Sequence, residues 1–198
     1  FGLAVTGEVD RRNLKRNDTA QPGDLLFLTK PIGVGILSTA EKRGLLGGDA
    51  LDLLRGTMIR SNAVGTELGT WQGVHALTDV TGFGLLGHLL ELCSDRLTAE
   101  LDYEAVPKLA AAQDLIAKGC YPDGALRNWK AYAERVQGAS SMERMFLLSD
   151  PQTSGGLLVA VAPDLRVEME ALLAHHRLAS GMIGRLSMRT PGPTIVVR

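Results

Sequence analysis

Chemistry in this sequence concentrates where glycines, hydroxyls and carboxylates fall together. The segment Thr78-Asp79-Val80-Thr81-Gly82-Phe83-Gly84-Leu85-Leu86-Gly87-His88 reads as a strand end, a glycine turn and the start of a helix. The first N–H groups of a helix lack partners within it and the helix dipole adds positive character, so the arrangement favours an anion such as phosphate. Asp79, at the strand end, sets a carboxylate beside that site, which suits Mg²⁺ held by carboxylate, water and phosphate oxygens. A plainer role is equally open, in which Thr81 or Asp79 caps the helix or closes an Asx turn. A second segment, Asp150-Pro151-Gln152-Thr153-Ser154-Gly155-Gly156, runs directly into an apolar strand. Thr153, Ser154 and the two glycine amides either line a site or form only the turn onto that strand. In a third, Thr29-Lys30-Pro31-Ile32-Gly33-Val34-Gly35, Lys30 is expected to be exposed.

Other patterns carry less. Gly82, Gly84 and Gly87 spell G-x-G-x-x-G, and Asp102 follows Gly82 by 20 residues, the outline of a dinucleotide-binding fingerprint. The run into the first glycine is polar where a central parallel strand is apolar, and no βαβ rhythm follows. The same glycines also suit close helix-to-strand packing. No G-x-x-x-x-G-K-[ST] occurs, which argues against a Walker-type ATPase. His75, His88, His175 and His176 lack metal spacing and read as structural or exposed. Cys93 falls on the apolar face of its helix and Cys120 in a loop, so neither is read as a nucleophile. Arg11, Arg12, Lys15 and Arg16, in the turn-rich stretch 10–24, are expected to form a solvated face.

Positioning these segments falls to mixed elements. Strands are expected at 3–9, 25–28, 74–77, 99–102, 157–161, 182–186 and 194–197. Helices are expected at 33–43, 49–62, 84–93, 107–118, 128–136 and 163–176, with 142–148 either helix or buried strand. Without strict alternation, the fold class is α+β, an αβ sandwich in which a mixed sheet is covered by helices. The 198 residues, 45% of them hydrophobic, suffice for a substantial core. Glycine is in excess, at 23 residues, so backbone geometry matters unusually. A formal net charge of -1 offers no global field for nucleic acid. Two cysteines at unrelated spacing fit a reducing compartment, and no apolar run reaches the length of a membrane span, so a cytoplasmic protein is expected. A chain opening on a strand-like run is expected to be part of something longer.

Taken together, FGLAVTG at 1–7, LFLTKPIGVGILSTA at 26–40, ALTDVTGFGLLGHL at 76–89 and LLSDPQTSGGLLVAV at 147–161 closely resemble the C-terminal domain of the selenophosphate synthetase (selenide, water dikinase) family. That family lies within the aminoimidazole ribonucleotide synthetase superfamily. The resemblance implies the α/β fold of that C-terminal domain and an enzyme making selenophosphate from selenide, ATP and water, with release of AMP and phosphate. It implies that Asp79 is a Mg²⁺ ligand at the ATP phosphates; Gly82, Gly84, Thr153 and Ser154 are expected at the nucleotide from the residues themselves, the glycine turn letting backbone approach the phosphates and the 150–156 loop supporting that wall. It places the catalytic Cys or selenocysteine, its neighbouring Lys and the other metal-binding Asp residues in an N-terminal domain whose motifs this chain lacks. On this reading 1–24 is a strand and connecting segment from the domain junction and 25–198 the C-terminal domain. Its partner is its own N-terminal catalytic domain, the full protein is expected to be a homodimer, and this chain alone is expected to be inactive. Two alternatives stand beside it: a dinucleotide-binding oxidoreductase domain, and a non-catalytic interaction domain of the same fold.

Overall fold

The structure, a computed structural model, describes residue 4, residues 6–179 and residues 181–198. Of the strand expected at 3–9, Leu3 and Val5 lie outside the described residues, and 6–9 form no regular element. The first strand, β1 (Leu25–Leu28), buries Leu26, Phe27 and Leu28 completely. Gly33, at φ +116°, then turns the chain into α1 (Val34–Lys42), a backbone angle open to glycine and strained for other residues. The helix α2 (Asp49–Ile59) opens with Asp49 and Asp52, acids that complement its dipole. It ends at Ile59, short of the expected Asn62, and α3 (Val64–Thr70) follows as a separate helix where no element was expected. The strand β2 (Val74–Asp79) leads through the glycine turn into α4 (Gly84–Cys93), nine of whose ten residues are buried.

After β3 (Leu97–Leu101) the expected helix over 107–118 contracts to α5 (Ala112–Ala117). Tertiary pairing overrides the local signal: Ile32 N–H donates to Pro107 and Leu109 N–H to Ile32, bridging Ile32 to Lys108 and holding this stretch extended. The weak helix expected at 128–136 begins earlier, as α6 (Asp123–Tyr132), and gives way to a 3₁₀ turn and the two-residue strand β4 (Val136–Gln137). Ser141 accepts from the Arg144 N–H and caps α7 (Met142–Leu148), which settles that apolar stretch as helix. The chain closes with β5 (Leu157–Val161), a 3₁₀ turn opened by Pro163, α8 (Arg166–His175), β6 (Met182–Met188) and β7 (Ile195–Val197).

The seven strands form one sheet in the order β2-β5-β1-β6-β3-β7-β4, antiparallel except where β7 pairs with β3 and β4. Alternating side chains feed two cores. Leu26, Leu28, Ala76, Leu158 and Ala160 meet α1 and α4 on one face, while Phe27, Val159 and Val161 meet α3 and α8 on the other. This is the expected α+β sandwich. The order excludes a dinucleotide fingerprint, because β5, β1 and β6 stand between β2 and β3, which leads to Asp102. Asp102 instead accepts from the N–H groups of Glu104 and Ala105, closing a local turn. Among the described residues no helix is long and apolar enough to cross a membrane.

Candidate functional site

Antiparallel pairing of β5 with both β1 and β2 dictates where the three glycine-bearing segments meet. Leu158 stands opposite Leu28 and Leu157 opposite Asp79, so the ends of β1 and β2 flank the start of β5. Backbone bonds continue the pairing into the loops. Val80 N–H donates to Gly156 O at 2.8 Å, Thr29 N–H to Leu157 O at 3.1 Å, and Gln152 N–H to Thr81 O at 2.9 Å. Leu157 N–H in turn donates to Thr29 Oγ1 at 2.8 Å. The two glycines of the 150–156 loop are required by this approach. A Cβ on Gly155 would stand 2.0 Å from Val80 O, and one on Gly156 2.5 Å from the Lys30 nitrogen.

On this framework Asp79, Gly82, Thr153 and Ser154 are exposed, while Gly84 is buried. The Asp79 carboxylate makes no hydrogen bond or ion pair with any described residue, so its oxygens face solvent unclaimed. Gly82 needs neither a positive φ nor close packing, since a Cβ there meets nothing within 4 Å. Gly84, grouped with it by sequence, sits behind the turn: its φ is +68°, its N–H donates to Thr81 O, and a Cβ would strike Ser149 at 2.7 Å. Three side chains pin the loops by their carbonyls. Asn128 Nδ2, on α6, donates to Gly82 O at 2.9 Å and to Ser149 O at 3.0 Å. Asn62 Nδ2 donates to Gly155 O at 2.9 Å.

The third is Lys30, and its placement corrects the expectation of exposure. Lys30 is 1% exposed, and its Nζ donates to Arg60 O at 2.6 Å and Ser154 O at 2.8 Å. Burial, with the nearby Arg60 charge, lowers its pKa from the ordinary lysine value. Its hydrogen bond accompanies the left-handed conformation of Ser154, at φ +53°. Residue types foretold none of these contacts of Lys30, Asn62 and Asn128, because each acts on a backbone carbonyl distant in the chain.

Asp150 serves a different end. Its Oδ2 accepts from Gly35 N–H at 2.9 Å and from Gln152 Nε2 at 2.8 Å, while Gln152 Oε1 accepts from Val34 N–H at 3.2 Å. The 150–156 loop thereby supplies the N-terminal cap that Gly33, at the head of α1, has no side chain to give. Burial raises the Asp150 pKa from 3.8 to about 7, against the opposing effect of these hydrogen bonds. Between those values the folded chain keeps a proton that the unfolded chain has released. The stabilisation is full below the unfolded value and is lost as pH rises through the folded one. Asp150→Asn, which does not titrate, is therefore expected to gain on the wild type by about 2 kcal/mol between pH 5 and pH 8. Urea denaturation of both at each pH measures this, and parallel profiles would contradict it.

Other candidates stay structural. Cys93 and Cys120 are both buried, and burial pushes the Cys93 thiol up to about 12. Among the described residues no three His, Cys, Asp or Glu side chains gather closely enough to hold a metal ion. Arg12 and Arg16 pair with Asp10 and Asp18, and Lys15 donates to Trp71 O.

Residues 21–191 match the family described as AIR synthase related protein, C-terminal domain. Similar curated proteins include the selenide, water dikinase of Pseudomonas aeruginosa, 50% identical over 190 residues, covering 96% of this chain and 55% of that protein. That of Shewanella baltica strain OS185 is 48% identical over 198 residues, covering 100% of this chain and 56% of its own length. The chain thus spans about half the length of the curated relatives it matches. Among solved structures, thiamine-monophosphate kinase from Stenotrophomonas maltophilia K279a superposes with a TM-score of 0.67 at 20% identity, covering 96% of this chain and 54% of that one. The hydrogenase maturation protein HypE in complex with ATP gives 0.61 at 15% identity, covering 92% and 49%. At such identities the likeness is one of fold.

Proposed function

This chain belongs to the AIR synthase related protein, C-terminal domain family, and from that membership we propose that it is the C-terminal half of a selenide, water dikinase, presenting one wall of a Mg·ATP site. The enzyme would convert selenide, ATP and water to selenophosphate, AMP and phosphate. The observation that carries the reading is the unclaimed Asp79 carboxylate, exposed where the three glycine-bearing segments converge. Identity near 50% to selenide, water dikinases supports the substrate assignment.

The residues present fit a Mg²⁺ ion held jointly with another domain. Asp79 offers hard oxygen donors with no competing partner, the kind Mg²⁺ takes beside water and phosphate oxygens. Bound there, the ion would neutralise charge developing on the phosphates. Thr153 and Ser154, both exposed on the 150–156 loop, would offer hydroxyl donors, and Gly82, where a Cβ meets nothing within 4 Å, leaves room for a phosphate to approach the backbone. Gly84 acts through the shape of the turn. Lys30, Asn62 and Asn128 hold these groups in place before a ligand arrives, which is most of what phosphoryl transfer asks of a protein.

With no group of three metal-ligating side chains among the described residues, the polyphosphate site needs carboxylates from elsewhere. We assign them to an N-terminal domain, with 1–24 as the junction and 25–198 as the C-terminal domain. The full protein would be a cytoplasmic homodimer. Calorimetry of this chain with Mg·ATP is expected to show no binding tighter than about 1 mM, an affinity of about -4 kcal/mol. Micromolar affinity would overturn the shared-site reading.

A further inference from the structure

We propose that His88 is a positioning residue of this site, acting as its neutral Nδ1–H tautomer to fix the peptide that joins Asp79's strand to the glycine turn. Its enzymatic consequence rests on the Mg·ATP reading above; its geometry does not. His88 lies on α4 and is 6% exposed. The Thr81 N–H donates to His88 Nε2 at 3.0 Å. A ring nitrogen that accepts carries no proton, so the imidazole proton sits on Nδ1. There it meets Glu91 Oε2 at 3.2 Å, one turn further along the same helix.

The peptide between Val80 and Thr81 is thereby held at both ends. Its carbonyl, Val80 O, lies against the Gly155 α-carbon, where a Cβ would come within 2.0 Å. Its N–H is claimed by His88. The neighbouring groups are occupied as well: Val80 N–H by Gly156 O, and Thr81 O by Gln152 N–H and Gly84 N–H. Of these contacts, only the one to Thr81 N–H comes from a side chain. Removing it leaves a half-buried amide without a partner at the joint that sets how the 81–84 turn leaves β2. Glu91 is half-exposed in a cleft of about 600 Å³ that Phe83, Gly87, Tyr132 and Arg135 also line. The tautomer is therefore set from the surface and read out at the turn.

Plain packing is the competing role, and a leucine would satisfy it. Two measurements separate them. In this chain, ¹⁵N NMR is expected to show His88 as neutral with its proton on Nδ1, and a scalar coupling from the Thr81 nitrogen to Nε2. A proton on Nε2, or no coupling, would overturn the proposal. In a protein that also carries the N-terminal half, His88→Leu is expected to raise KM for Mg·ATP about tenfold with a smaller change in kcat. His88→Gln, whose Oε1 can accept from Thr81, is expected to return KM to within about twofold of wild type. Wild-type KM in His88→Leu, or equal impairment in both variants, would overturn it. Should Asp79→Asn leave that enzyme unaffected while the NMR result holds, the Mg·ATP reading fails and the His88 geometry stands.

Discussion

Asp79→Asn, in a protein joining this chain to the N-terminal half of a selenide, water dikinase, is expected to lower turnover by at least about 100-fold. The melting temperature of this domain is expected to stay unchanged. The two halves of that result follow from one observation. The carboxylate is exposed and bonded to no described residue, so its loss removes nothing that holds the fold. Asparagine keeps the shape and one oxygen but not the charge, and a hard divalent cation discriminates strongly between them. Turnover close to wild type in that protein would remove Asp79 from the site. A large fall in melting temperature would mean that the residue is structural after all.

The second large effect is on stability. Gly155→Ala is expected to destabilise the chain by about 3 kcal/mol, at the upper end of what overpacking costs. The added methyl would come within 2.0 Å of Val80 O and 2.9 Å of Gln152 Cβ. The first of these is backbone at the β2–β5 junction, where yielding means breaking the pairing of Val80 with Gly156. Gly82→Ala is the matched control. It meets nothing within 4 Å, so its stability is expected to stay within about 0.5 kcal/mol of wild type. Urea denaturation of the two variants measures the contrast, and equal stability would contradict the packing described at Gly155.

Much of this site was legible because its backbone demands are written in local residue types. The strand-to-helix turn at 78–88 and the loop onto the buried strand at 157–161 are both readable without partners. So is the α+β class, from elements that mix without alternating. What was not legible depends on distant backbone. Pro107 is a good first residue for a helix, but Ile32 captures 107–109 in a β-bridge instead. Lys30 has the composition of a surface residue, yet the carbonyls of Arg60 and Ser154 draw it inside. Asp150 opens a loop readable either as a site or as a plain turn, and its side chain caps α1 at a distance no local pattern shows. The G-x-G-x-x-G pattern shows the opposite error, a local match that strand order makes meaningless. His88 and Asn128 carry no sequence mark of what they hold, since they serve backbone groups across a turn or from another helix.

In the proposed function, this chain supplies the Asp79 wall of a site that makes selenophosphate. ³¹P NMR of ATP and selenide incubated with the two-domain protein tests it most directly. Selenophosphate, AMP and phosphate are expected in equal amounts, only when selenide is present, and not with Asp79→Asn. ADP as the nucleotide product, or ATP consumption indifferent to selenide or to Asp79, would contradict the account.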